Sequence, residues 1–252
     1  MLNKTLVKQG LWLFRWRSYL PFLLAPVAVA AVYQSRDHLA TISDGAFELL
    51  MCVSLVISLI GLGFRSFIVG YVPSGTSGRN TREQRAEQLN TSGMYSVVRH
   101  PLYFANFLIF LGFVMALEVW WFSLLACFSY AVYYERIMMA EESFLDSKFG
   151  QPFRDWAERT PAFIPKPSLW APPEMPFSFR FALRREYGSI YLVLAYFSVL
   201  KMLLDISIRQ QSFSTWMEAD PVWFMAFIIS TLSFFILRYL KKHTRFLDVT
   251  DR

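Results

Sequence analysis

The stretch LYFANFLIFLGFVMALEVWWFSLLACFSYAVYY, residues 102–134, holds a single charged side chain, Glu118, at its midpoint. About 20 apolar residues in a helix cross a hydrocarbon core of roughly 30 Å. The two halves, 102–117 and 119–134, each approach that length, and no loop separates them. A tight antiparallel helical hairpin is expected, with its two open ends side by side. Whatever precedes residue 102 and whatever follows residue 134 are thereby brought together at one face of a membrane.

Outside the hairpin lie four more apolar runs, at about 19–33, 46–64, 189–204 and 222–240. The expectation is therefore an all-α, polytopic bundle of about six transmembrane helices, a multi-pass integral membrane protein. Composition agrees: 55% of residues are hydrophobic and 18% aromatic, and only 17% are charged, against roughly 25% in soluble chains. The short alternating segments of a membrane β-barrel are absent from the sequence. The run at 19–33 contains the small-residue pattern Ala28-Val29-Ala30 behind Lys4, Lys8, Arg15 and Arg17, an outline that a cleaved signal peptide shares. Trp12, Phe14 and Trp16 instead read as an interfacial anchor before a retained helix.

With six spans and both termini cytoplasmic, every Lys and Arg except Arg36, Lys201 and Arg209 falls on the cytoplasmic side, as the positive-inside rule requires. The net charge of +6 then reads as attraction to anionic headgroups. No nucleic-acid-binding motif is present. Cys52 and Cys127 sit inside expected spans without partners at metal-site spacing and read as small core residues; no metal is expected. Lys201 and Asp205 read as an i,i+4 pair near the outer end of the fifth span, with the lysine snorkelling.

Two polar segments flank the hairpin. The first, residues 70–99, is too polar for lipid, and a short helix is expected over 81–89. The second, 135–187, should begin as helix and stop at Gly150 and Pro152. Pro161, Pro165, Pro167, Pro172, Pro173 and Pro176 then exclude a continuous helix. An amphipathic piece over 177–187, with Arg180, Arg184 and Arg185, is expected on the membrane surface. The chain divides into two spans and a loop (1–90), a core (91–165), and a surface helix with two further spans (166–252), all in one domain.

The hairpin's open ends carry Arg99-His100-Pro101-Leu102-Tyr103, with Asn106 one turn further in, and Glu135-Arg136 with Glu141-Glu142. Cationic donors, a phenol, an amide and carboxylates at a membrane boundary match the needs of S-adenosylmethionine, which presents a carboxylate, an ammonium, ribose hydroxyls and an adenine. Methyl transfer is an in-line displacement in which positioning does most of the work, and no metal is required. Each element also has a plainer role. Arg99 would serve as a headgroup anchor, Pro101 as a first-turn proline, and Tyr103, Tyr133 and Tyr134 as an interfacial belt. Glu141 and Glu142 would serve as a solvated face paired with Lys148 or Arg136.

Gly93-Met94-Tyr95-Ser96-Val97-Val98-Arg99-His100-Pro101-Leu102-Tyr103 resembles the Gly-x-Tyr…Arg-His-Pro-x-Tyr signature of isoprenylcysteine carboxyl methyltransferases and their phospholipid methyltransferase relatives. The series Glu135-Arg136-Ile137, Glu141-Glu142, Phe149-Gly150, Phe153, Trp156 and Phe163-Ile164-Pro165 is similar to the family's second block. The likeness covers about 91–165 and implies an S-adenosylmethionine-dependent integral membrane methyltransferase acting on a lipid or lipidated acceptor. It implies cofactor binding by Tyr95, His100, Pro101, Tyr103, Asn106, Glu141 and Glu142, with Arg99, Arg136 and Glu142 as catalytic residues. One position departs: Ala105 stands where the family usually has glycine. An acidic oxygen, a prenylcysteine carboxylate or a lipid A-type phosphate, is the favoured acceptor, since neither needs a proton removed before attack and no paired-histidine base is present. Three alternatives stay open: methylation of a phospholipid amine, an NADPH-dependent reductase of the sterol type, which shares Arg-His-Pro-x-Tyr, and a non-catalytic lipid-binding or transport protein.

Overall fold

The computed structural model describes residues 2–73, 84 and 86–249. These residues form eleven α-helices and two 3₁₀ turns, and a lone bridge between Gly93 and Ala171 is their only strand-like pairing. An amphipathic helix, α1 (Leu2–Trp16), turns through 86° into the 3₁₀ turn Leu20–Leu23 and α2 (Leu24–Gln34). After the short α3 (Arg36–Thr41), Ser43 caps the 28-residue α4 (Asp44–Tyr71), its Oγ accepting from the Ala46 N–H at 3.4 Å. One turn, α5 (Met94–Val97), leads to α6 (Pro101–Met115), with Pro101 in the first turn where its missing N–H costs nothing. Next come α7 (Trp120–Phe149), α8 (Gln151–Arg159), α9 (Phe179–Ser207), α10 (Phe213–Ala219) and α11 (Pro221–His243).

The expected hairpin forms as α6 and α7, turning at Glu118, whose φ of 58° closes the connection. Its tightest packing is against α4. A Cβ on Gly61 would lie 2.7 Å from the Ala105 carbonyl oxygen, and one on Gly112 would lie 2.2 Å from that of Ser54, so the two backbones approach only because both positions are glycine. Ser58 Oγ donates across the contact to the Ile109 carbonyl at 3.0 Å. Ala105 is fully buried and its carbonyl belongs to this helix contact, so the departure from glycine falls in helix packing. One core cluster joins α4, α9, α10 and α11 through Met51, Phe197, Trp216 and Trp223, and a second joins α2 and α3 to the hairpin turn through Ala31, Leu39, Leu117 and Phe122. Many large apolar side chains, Phe22, Phe128, Val222 and Phe235 among them, point outward, as a bilayer solvent demands.

Several expectations change. By length and apolar composition α4, α9 and α11 can each cross a membrane, and the bent α1–α2 pair would make a fourth. Beside these qualifying helices, α6 is a shorter apolar helix of 15 residues, and α7 becomes polar after residue 134. Residues 177–187 form no separate surface helix: α9 starts at Phe179, capped by Ser178, and continues unbroken into the fifth apolar run. Gly150, at φ 59°, ends α7 as expected, but Pro152 opens α8. The helix expected over 81–89 begins outside the described residues, and 86–89 is not helical. Cys52 is exposed, so it is not a core residue.

Candidate active site

The hairpin brings its two flanking blocks together. His100 precedes α6, while Glu141 and Glu142 lie in the half of α7 that projects beyond the apolar run. His100 Nε2 meets Glu142 Oε1 at 3.0 Å, and His100 Nδ1 lies 3.6 Å from Glu141 Oε2. Tyr103, one turn into α6, donates its hydroxyl to Glu141 Oε2 at 2.9 Å. Arg99 Nε donates to Glu142 Oε1 at 2.8 Å, and its Nη1 donates to the Ala157 carbonyl and, at 2.9 Å, to that of Thr160. These are carbonyls at the C-terminal end of α8, where a cation is favoured. Arg99 therefore acts as a clamp between α8 and Glu142.

Backbone pairing fixes the chain after α8 on the same motif. The Arg99 and His100 N–H groups donate to the Pro161 and Ala162 carbonyls at 2.8 and 3.2 Å, and the Lys166 N–H donates to Val97 at 2.9 Å. Phe163 lays its ring edge-on against Phe104 and Phe107. The second motif block thus forms a wall over the first.

Electrostatics follow from burial and pairing. Burial of His100, 6% exposed, would push its imidazole pKa down, but hydrogen bonds and charges from Glu141 and Glu142 outweigh it and hold the value above the ordinary 6.5. Burial likewise acts to raise both carboxyls, and contact with His100 overcomes it, aided by Tyr103 at Glu141 and Arg99 at Glu142, leaving both below 4.5. Glu142 Oε2 and Glu141 Oε1 accept no hydrogen bond among the described residues. Two ionised carboxylates with spare acceptor capacity, beside a buried histidine and a tyrosine, have the chemistry to take an ammonium and ribose hydroxyls.

The other expected site residues make different contacts. Pro101 is buried at the start of α6. Tyr95 lines a separate crevice with Phe67, Tyr71 and Pro173, its carbonyl accepting from Trp156 Nε1 at 3.0 Å. Arg136 sits apart from Glu141 and Glu142, since residues five and six positions apart on a helix do not share a face. It bonds Glu135 at 2.6 Å and, with Gln9, Trp12 and Tyr133, lines a crevice between α1 and α7. Asn106 lies one turn inside Tyr103 and accepts from Arg65. Arg65 and its partner Glu186 (2.7 Å) were not anticipated as a site. The available signal was an arginine inside the apolar α4, a position where charge is costly and usually functional. Tyr134 also leaves the interfacial belt: it stacks on Tyr130 at 4.2 Å and packs on Tyr103 at 4.9 Å.

Residues 50–152 match the family model described as phospholipid methyltransferase. The chain is 40% identical over 82 residues to the cobalt-zinc-cadmium resistance protein CzcN of Cupriavidus metallidurans, covering 32% of this chain and 38% of that protein. It is 34% identical over 87 residues to the nickel-cobalt-cadmium resistance protein NccN of Alcaligenes xylosoxydans xylosoxydans, covering 34% and 40%. The matches thus span about two fifths of the length of these curated relatives. No solved structure matches. The matched segment 50–152 holds the hairpin, the Arg-His-Pro block and the paired glutamates, so it is the part of the chain that carries the likeness to phospholipid methyltransferases.

Proposed function

We propose that this chain transfers a methyl group from S-adenosylmethionine to an acidic oxygen, a carboxylate or phosphate, on a lipid or lipidated acceptor at the membrane–cytosol boundary. The observation that carries this reading is the meeting of the two motif blocks, His100 on Glu142 at 3.0 Å, 42 residues apart in sequence. Glu141 and Glu142 would hold the cofactor's ammonium and ribose hydroxyls through their spare oxygens, and Arg99 positions Glu142. When bound, S-adenosylmethionine would supply a sulfonium-activated methyl, and an anionic acceptor oxygen would need no proton removed by this chain's residues.

The state of His100 favours oxygen over nitrogen as acceptor. A protonated amine needs a base before it can attack, and His100 has both ring nitrogens facing carboxylates, Glu142 at 3.0 Å and Glu141 at 3.6 Å, so neither nitrogen is turned to an acceptor as a free base. Methylating an anionic headgroup also lowers the surface charge that attracts divalent cations, a physical route by which lipid methylation would serve the metal resistance for which the two relatives are named. To test the reading, purified protein is incubated with methyl-labelled S-adenosylmethionine and extracted lipids. Label is expected in lipid methyl esters or phosphate esters; label confined to amine headgroups overturns the acidic-acceptor assignment.

A further inference from the structure

The polar residues inside the hairpin continue past the paired glutamates. Asn106 is three positions beyond Tyr103 on α6, hence on the same face, and its Oδ1 accepts from Arg65 Nη1. Arg65 lies on α4, six residues before the helix ends at Tyr71, about 9 Å from that end at 1.5 Å per residue. Asn106 lies five residues into α6, a similar depth from the end that carries His100. Arg65 Nε donates to Glu186 of α9 at 2.7 Å, and its charge reaches the phenols of Tyr130 and Tyr134 on α7. The guanidinium, carried by α4, is therefore held between Asn106 of α6 and Glu186 of α9.

Pairing with Glu186 accounts for the presence of this charge among apolar residues. It does not account for the donors left over. A guanidinium has five N–H groups, and Arg65 uses two of them among the described residues. The Arg65 side chain remains 21% exposed while Glu186 is 1% exposed, so the open side of the pair is the cationic one.

We propose that Arg65 binds the anionic group of the acceptor lipid, with Asn106 orienting the guanidinium and Glu186 acting as the internal anion that competes with the acceptor for it. This rests on the function proposed above and deepens it: acidic Glu141 and Glu142 take the cationic methyl donor, and Arg65, one turn further into the membrane, takes the anionic acceptor with its tail in lipid. The planar fork suits carboxylate and phosphate alike.

The test reads binding without cofactor, using dodecyl phosphate, dodecanoate and dodecylphosphocholine titrated into the full-length protein in neutral maltoside micelles. Arg65→Gln should weaken both anionic amphiphiles by roughly tenfold or more, as loss of a charge-assisted hydrogen bond predicts, and leave the zwitterionic one unchanged. Glu186→Gln should tighten the anionic pair, a gain that loss of structure does not produce. Retained S-adenosylhomocysteine binding reports that each variant is folded. Of the two anions, the one wild type binds more tightly names the acceptor group. Equal weakening of all three amphiphiles in Arg65→Gln, or no weakening, overturns the role given to Arg65. Failure of wild type to methylate any lipid would instead reject the function proposed above, so the two failures are distinguishable.

Discussion

At the scale of single residues, Glu142 carries the most. Its Oε1 accepts from both Arg99 and His100, so Glu142→Gln removes the charge that holds both cations. Affinity for S-adenosylhomocysteine should fall by roughly tenfold or more in calorimetry, since charge-assisted bonds are worth about 1.5–3 kcal/mol each, and undiminished affinity would take Glu142 out of the site. His100 gives a signed pH test. Its pKa is raised in the fold, so its protonated form stabilises the native state. That contribution is complete below the unfolded value of 6.5 and fades as pH climbs through the higher folded value. The melting-temperature gap between wild type and His100→Asn should therefore be widest at pH 6 and narrow toward pH 9. A gap that widens over that range would contradict the pairing of His100 with the glutamates.

At the scale of elements, the turn between α6 and α7 is set by one unusual residue. Glu118 adopts φ 58°, and neither of its buried carboxylate oxygens has a hydrogen-bond partner among the described residues. Burial, reinforced by Glu48 and Asp205 and opposed by Arg209 and Lys201, lifts its pKa to about 7. The folded chain thus retains a proton there that the unfolded chain releases above 4.5, so this group costs stability as pH rises from 4.5 through 7. Glu118→Gln should melt higher than wild type at pH 8 and near it at pH 4.5; equal melting at both would show that the carboxyl is solvated. The hairpin was legible in sequence because one charge divides an otherwise apolar stretch of 33 residues. The meeting of His100 with Glu142 followed from that hairpin alone. Arg65 and Glu186 were not legible, because α4 and α9 meet α6 through tertiary packing, and sequence spacing carries no register between helices so far apart. Arg136 is close to the paired glutamates in sequence, yet helical phase sets it on a different face of α7.

At the scale of the whole molecule, two polar assemblies mark the two ends of the bundle. One is the glutamate site; the other is centred on Lys201, which is 3% exposed rather than snorkelling. Its Nζ bonds Asp205, Glu48 at 2.7 Å and Asp220 at 3.0 Å, and Arg209 next to it pairs with Asp44. These contacts tie α4, α9 and the start of α11 together at the end where Glu118 turns the hairpin. A buried ion pair is poor evidence of net stabilisation, because desolvation offsets its attraction, but removing one partner strands the rest. Lys201→Met should accordingly destabilise the fold by about 3–5 kcal/mol, read as a lowered melting temperature in detergent. Adding Asp205→Leu to Lys201→Met should recover much of the loss by removing the most buried of those acids. If the double variant is as unstable as the single one, Asp205 does not share its burial cost with Lys201, and the assembly holds the helices through Glu48 and Asp220 instead.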